Sequence, residues 1–302
     1  MTSTPPTTPA AATPAVLELA AFAASPGGGN PAGVVLDASA LADDAMLRLA
    51  AELGHPETAF VVDPAVGGDP RHVAVRYFSP GAEIPFCGHA TIATAVSLAE
   101  RDGAGPFVVE TAAGTIVVET VLDAAGRVEA MFTSVEPAVR ELDAGAAARL
   151  LGLLGLTVDD LDPAWPLQEA FAGNWHPMVA VRERATFDGF RFEPAAMRTL
   201  MDERGWAGTV AVVQASGERL DGVDLVVEAR NLFPVGSVTE DPATGSAAAA
   251  IGAWLRAAGV VSAPARLVVR QGSHVGRPSV IGVSVPAAGG VTVSGTAVPL
   301  LP

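Results

Sequence analysis

The chain has 302 residues, half of them apolar, with a formal net charge of −15 and one cysteine, Cys87. That length suits one large domain or two of ordinary size, and the negative balance argues against a phosphate backbone or an anionic membrane as partner, since both need clustered Lys and Arg. A lone cysteine excludes an intrachain disulfide and a multi-cysteine metal site and fits a reducing compartment, so the cytoplasm is the expected location; no apolar run approaches the roughly 20 residues that span a bilayer.

Residues 1–14 are rich in Pro, Thr and Ala, lack the basic and apolar regions of a signal peptide, and read as a disordered tail. Strands are expected at Val16–Phe22 and Ala32–Leu36, separated by the turn Pro26-Gly27-Gly28-Gly29-Asn30-Pro31. Asp43–Leu53 has helical spacing, acidic residues at its start and Gly54 at its end. The run Thr58–Val62 is a strand with Glu57 at its mouth, and Arg71–Phe78 is another. It feeds the stretch PGAEIPFCGHATIATA, a glycine-containing turn followed by an Ala-rich helix that ends near Arg101 to Gly103. A hairpin follows over Phe107–Leu122, then a strand at Val128–Thr133 and an Ala-rich helix at Glu141–Leu154.

The second half repeats this order. Gly173-Asn174-Trp175-His176-Pro177 precedes a strand, as Gly29-Asn30-Pro31 does, and Glu193–Arg204, Thr209–Gln214 and Asp224–Asn231 read as helix, strand and strand. The stretch PVGSVTEDPATGSAAA then echoes the earlier turn. Laying Pro80 over Pro234 puts Arg76 on Arg230 and Cys87 on Asp241. Here a helix is expected from Asp241-Pro242 through Ala258, with Asp as cap and Pro in the first turn. A strand at Arg266–Arg270 and a hairpin from Ser279 close the chain. Duplicated order implies two pseudo-repeated α+β domains, 15–134 and 135–287, meeting near Ser134 to Pro137, with a last strand in 288–300 available to complete the first.

The chemistry-bearing residues gather at these turns. A helix start presents unpaired N–H groups and a positive dipole end, and two facing starts make a pocket for a small acid. Glu57, flanked by Pro56 and an apolar run, is either a partly desolvated acid/base or a surface glutamate. His89 either donates to a ligand carboxylate or caps its helix. Cys87 is a base or nucleophile at a helix start, or a buried structural thiol. Asp241 is an N-cap or, beside Glu240, an acid of raised pKa. Gly88 and Gly245 allow close backbone approach, and Ser246 offers a hydroxyl. The hydrolase elbow G-x-S-x-G, clustered metal ligands, G-x-G-x-x-G and a Walker lysine are all absent. Cofactor-free proton chemistry survives this elimination.

Five motifs together resemble the phenazine-biosynthesis PhzF-like family: Gly29-Asn30-Pro31-Ala32-Gly33, Glu57-Thr58-Ala59-Phe60-Val61, Phe86-Cys87-Gly88-His89-Ala90-Thr91, Glu240-Asp241-Pro242-Ala243-Thr244-Gly245-Ser246-Ala247, and Gln271-Gly272 with Gly276-Arg277-Pro278-Ser279. The resemblance covers nearly everything after the tail. It implies a diaminopimelate-epimerase-like fold, each domain a barrel-like, mostly antiparallel sheet around a central helix. It also implies a homodimer and no metal or organic cofactor; the partner expected at the paired helix starts is a small carboxylic-acid substrate, with no nucleic acid or membrane. In the family's best-understood member a glutamate shuttles a proton during isomerisation of a dihydro-hydroxyanthranilate. Glu57 occupies that glutamate's motif, His89, Asp241 and Ser246 match substrate-binding and polarising positions, and Gly88 and Gly245 match the backbone that approaches the substrate. Related racemases use two opposed cysteines, whereas the second motif here offers Asp241-Pro242 and no thiol. Pocket walls are expected to include Trp175, His176 and Arg230. The rival readings are a metabolite-binding protein without turnover and a racemase working through Cys87 alone.

Overall fold

Alternating apolar residues and glycine-bounded turns lay the first half of the chain out as short strands. In a computed structural model, which describes residues 14–235 and 238–300, these are β1 (Leu17–Ala21), β2 (Asn30–Val35), β3 (Glu57–Asp63), β4 (His72–Phe78), β5 (Glu83–Ile84), β6 (Phe107–Thr111), β7 (Gly114–Leu122), β8 (Val128–Thr133) and β9 (Ala138–Glu141). The helix α1 (Asp43–Leu53) precedes β3 and α2 (Gly88–Asp102) precedes β6. The tail expected over 1–14 lies, apart from Pro14, outside the described residues.

The second half contains α3 (Ala144–Leu154), β10 (Gln168–Phe171), β11 (Trp175–Ala180), α4 (Arg184–Gly189), α5 (Pro194–Arg204), β12 (Val210–Ala215) and β13 (Leu225–Val235). It continues with β14 (Val238–Asp241), α6 (Gly245–Ala257), β15 (Ala265–Gln271), β16 (Ser279–Val285), β17 (Thr292–Gly295) and β18 (Ala297–Pro299). The protein is thus an α+β fold, and its two halves share one pairing pattern. In the first, β1–β2, β3–β4, β6–β7 and β7–β8 are antiparallel while β2–β3 and β4–β6 are parallel. In the second, β10–β11, β12–β13, β15–β16 and β16–β17 are antiparallel while β11–β12 and β13–β15 are parallel.

Three ladders tie the halves together. The β8 strand pairs with β17, and each half borrows a strand from the other: β18 lies against β1 and β9 against β10. Inside each curved sheet runs one helix. Every residue of α2 from His89 to Ala99 is buried, as are ten residues of α6. Small side chains keep these helices thin enough to be wrapped. In α2 the buried hydroxyls of Thr91, Thr94 and Ser97 bond back to the carbonyls of Cys87, Ala90 and Ala93, and Thr91 also meets the Tyr77 hydroxyl. One apolar cluster extends from Leu19 to Ala297 and takes in both helices. The other helices lie outside the sheets. Met46 and Ala50 of α1 pack over Phe60 and Phe78, and α3 and α5 cover β11 to β13. Among the described residues no helix is long and apolar enough to cross a membrane.

Two helix starts differ from expectation. The helix expected from Asp241 begins at Gly245, with Thr244 at the N-cap position, because the backbone of Asp241 is taken by β14, which pairs Asp241 with Asn231 of β13. The helix expected from Glu141 begins at Ala144, capped by the Asp143 carboxylate on the Ala146 N–H, because Glu141 is drawn into β9 against β10.

Candidate active site

The parallel pairing of β2 and β3 sets Ala32 opposite Glu57, so the Glu57 carboxyl leaves the strand end beside the first turn of α2. It remains one-fifth exposed, with one oxygen 3.4 Å from His89 Nε2 and the Cys87 thiol adjacent. Burial first, then the nearby Asp241 carboxylate, push the Glu57 pKa up to about 7, against a lowering contribution from the thiol. That value lies where a carboxyl both takes and gives a proton near neutrality.

His89 is buried, and loss of solvent lowers its pKa to about 4, so the imidazole is neutral at pH 7 and its contact with Glu57 is not an ion pair. Its Nε2 lies 3.2 Å from the Pro31 carbonyl, which requires the proton on that nitrogen. Nδ1 is then the acceptor, facing Asn30 Nδ2 at 3.3 Å and the Cys87 sulfur at 3.3 Å. His89 therefore does not cap its helix, and α2 has no side-chain cap at its N-terminus. Cys87 stands at the N-cap position, is buried, and has its pKa pushed well up by burial and then by Glu57. It is a thiol at neutral pH, held by the Tyr77–Thr91 hydroxyl pair that fixes the Cys87 carbonyl. Glu57, Cys87 and His89 offer ligating atoms within 4.8 Å of one another. Cys87 is protonated and the His89 Nε2 proton faces the Pro31 carbonyl, so the trio is set up to move a proton rather than to ligate a metal.

Asp241 approaches from the other half of the molecule. One oxygen accepts the Asn30 amide at 2.8 Å and the other the Thr244 hydroxyl at 2.5 Å. Burial raises its pKa to about 6, and those two hydrogen bonds, Thr244 first, hold it from rising further. Because Asp241 is engaged sideways, α6 also has no side-chain cap. Cys87 and Thr244 occupy the same position at the starts of the two central helices. The counterpart of the thiol is thus Thr244, rather than the Asp241 given by laying Pro80 on Pro234: β13 runs on to Val235, five residues past Arg230, whereas β4 ends at Phe78, two past Arg76, and the helix start is displaced by that difference.

Gly88 and Gly245 open the two helices, and Ser246 follows in α6. The Ser246 hydroxyl lies 3.1 Å from His176 Nε2, while His176 Nδ1 lies 3.0 Å from both the backbone nitrogen and the carbonyl oxygen of Thr209. Either tautomer of His176 thus bridges Thr209 and the Ser246 hydroxyl. His176 is fully buried, with a pKa lowered to about 4 by burial, so it supports the serine from behind instead of lining a pocket. Trp175 and Arg230 are not pocket walls. Strand alternation turns both to the opposite face: Trp175 stacks on Phe171 under Arg140, and Arg230 is buried against Glu240 and the Phe187 carbonyl.

Two residues quoted only as motif members are part of the site. Asn30 touches both helix starts, and Gln271 holds the turn before α6 by donating to the Asp241 carbonyl at 2.6 Å and the Thr244 hydroxyl at 2.9 Å, and by accepting from Asn231. Their presence in the GNP and QG motifs was the available signal, since neither side chain titrates.

Paired sheets, each wrapped around an uncapped helix, with acids from both halves at the helix starts, define a protein of the diaminopimelate-epimerase-like fold. The sequence matches the phenazine biosynthesis-like (PhzC-PhzF) family over residues 19–301, and the chain belongs to that family. An uncharacterized isomerase of Deinococcus radiodurans is 35% identical over 279 residues, 90% of this chain and 87% of the relative. The trans-2,3-dihydro-3-hydroxyanthranilate isomerase of Pseudomonas chlororaphis is 30% identical over 261 residues, 86% of each chain. The crystal structure of the PhzF-family phenazine biosynthesis protein of Bacillus anthracis is similar with a TM-score of 0.78 at 25% identity, over 95% of this chain and 96% of that one.

Proposed function

We propose that this protein is an isomerase that moves a proton between carbons of a small, cyclic or amino carboxylic acid, with Glu57 as the acid/base. The observation that carries the reading is the Glu57 carboxyl, with a pKa near 7, set against a neutral His89 beside two uncapped helix starts. In its ionised form Glu57 removes a proton from one carbon, and in its acid form it returns that proton to another, so no net redox change occurs. The substrate carboxylate, and the negative charge that builds on it as the first C–H bond breaks, are held by the backbone N–H groups at Gly88 and Gly245 and by the Ser246 hydroxyl. The neutral His89 ring lies against the Glu57 carboxyl at 3.4 Å, and Asp241 accepts from an amino or hydroxyl group of the substrate. The chain contains no lysine, so no side-chain amine is present to hold a carbonyl cofactor as a Schiff base, which favours a direct transfer.

The relatives named above make trans-2,3-dihydro-3-hydroxyanthranilate the first compound to test, followed by a panel of cyclic and amino acids, with solvent-deuterium uptake by NMR as the readout. Glu57→Gln is expected to lose about 10²–10⁴ of the exchange rate, the usual contribution of a positioned acid/base, and Cys87→Ser to stay within a few-fold of wild type. Full exchange in Glu57→Gln would defeat the assignment. Loss confined to Cys87→Ser would favour a thiol-dependent racemase, and binding without any exchange a metabolite carrier.

A further inference from the structure

Two of the family motifs, GNPAG and QG with GRPS, carry no acid, base or substrate donor in the reading above, yet they meet at the centre of the molecule. The turn before β2 and the turn between β15 and β16 are sewn together across the two halves. Arg277 donates to the Gly29 carbonyl at 2.7 Å and the Gly28 carbonyl at 3.3 Å, and the Pro278 carbonyl accepts from the N–H groups of Ala24 and Gly29 at 3.1 and 3.2 Å. The turns are close enough to exclude side chains. A Cβ on Gly28 would sit 2.2 Å from the Pro278 oxygen; within the second turn itself, one on Gly272 would sit 2.2 Å from the Arg277 oxygen.

Asn30 leaves this interlock as the first residue of β2 and is wholly buried. Its amide nitrogen reaches Asp241 at 2.8 Å, the Ala243 carbonyl at 3.0 Å and His89 Nδ1 at 3.3 Å. All three are acceptors, which fixes the orientation of the amide: turned over, its oxygen would face the Asp241 carboxylate and a carbonyl. The observed orientation leaves Asn30 Oδ1 buried with no partner among the described residues. An unmet buried acceptor is unfavourable, so the contacts on the nitrogen side outweigh it.

We propose that Asn30 is the positioning residue of this site, a single buried amide, anchored by the interlocked turns, that couples the Asp241 carboxyl of one half to the His89 imidazole of the other. The two motifs without chemistry of their own then have a role: they hold this amide where the halves meet. The titratable groups that face it are Glu57 from β3, Cys87 and His89 from α2, and Asp241 from β14, with His55 beyond His89 and Arg277 behind the turn; Glu240 points to the other face, toward Arg230. The Asn30 hydrogen bond lowers the Asp241 pKa, and an ionised Asp241 raises that of Glu57. Removing the donor therefore moves the two acids in opposite directions.

The test is a carboxyl-¹³C NMR titration of the full-length protein, with the two signals assigned by their disappearance in Asp241→Asn and Glu57→Gln. In Asn30→Leu, close in shape but without a donor, Asp241 is expected to titrate about one pH unit higher and Glu57 lower than in wild type. Asn30→Ala is read the same way and covers the case in which leucine is not accommodated. If both acids titrate lower together, water has entered a loosened site and Asn30 only fills space. If neither moves, the amide couples nothing. Either result overturns the proposal, as does loss of the fold in both variants. The proposal rests on the proton-transfer reading of the site, but the titration needs no substrate, so its failure is distinguishable from failure of that reading.

Discussion

Glu57 and Asp241 keep their protons to higher pH in the folded protein than in the unfolded chain, while His89 and His176 give theirs up sooner. These shifts act on stability with opposite signs. A carboxyl whose folded pKa is raised contributes stability that is complete below its unfolded value and is lost as the pH climbs through the folded one; for Glu57 that window runs from 4.5 to about 7. The histidines contribute stability that is complete above 6.5 and is lost as the pH falls through about 4. Glu57→Gln removes the first effect alone. Its unfolding free energy from urea titration is expected to gain on wild type by about 2–3 kcal/mol between pH 4.5 and pH 8. A constant difference over that range would mean that Glu57 is not desolvated. This variant would then be more stable and inactive, the usual relation between a strained site and its function.

At the scale of the element, α6 sets a preference of the backbone against packing. Gly252 lies mid-helix, where alanine is intrinsically favoured by about 1 kcal/mol. A Cβ there would lie 2.9 Å from Val285 and 3.0 Å from Val283, both of β16, and 3.2 Å from Val291, which leads into β17. Overpacking of a buried site costs about 1–3 kcal/mol, so Gly252→Ala is expected to lower stability by roughly 1 kcal/mol net, read as a lower urea midpoint at unchanged slope. An increase in stability would show that the sheet yields easily around the helix. The same closeness explains why the helix starts are so readily shared: small residues on α2 and α6 let the sheets approach, and the first turns come together at Asn30.

The whole molecule is held as one unit by borrowed strands and by a cluster that includes both central helices. All four tryptophans, Trp165, Trp175, Trp206 and Trp254, belong to the second half, and the lone cysteine belongs to the first. Indole fluorescence and the reactivity of Cys87 with a thiol reagent therefore report the two halves separately in the same sample. Their urea transitions are expected to coincide, because neither half can open without stripping β18 from β1, β9 from β10 and β8 from β17. Separate midpoints would show that the halves unfold independently.

Much of this was written locally. Asp43, Asp44 and Gly54 bound α1 as expected, Gly54 in the left-handed conformation that ends the helix, and hydrophobic alternation placed most strands within a residue or two. The short strands β9, β10 and β14 were not legible, because four residues carry little periodicity. The cluster of motif residues around Glu57, His89 and Asp241 could be named from the sequence, since residue type and spacing state which groups can ionise or donate. Sequence could not decide their protonation, because desolvation depends on what covers them. Nor could it decide that Asp241 abandons its helix for Asn30, that Arg230 turns away to Glu240, or that Thr244 stands opposite Cys87. Those outcomes belong to contacts between chain segments more than 200 residues apart in the case of Asn30 and Asp241, and only the tertiary structure brings such segments within hydrogen-bonding distance.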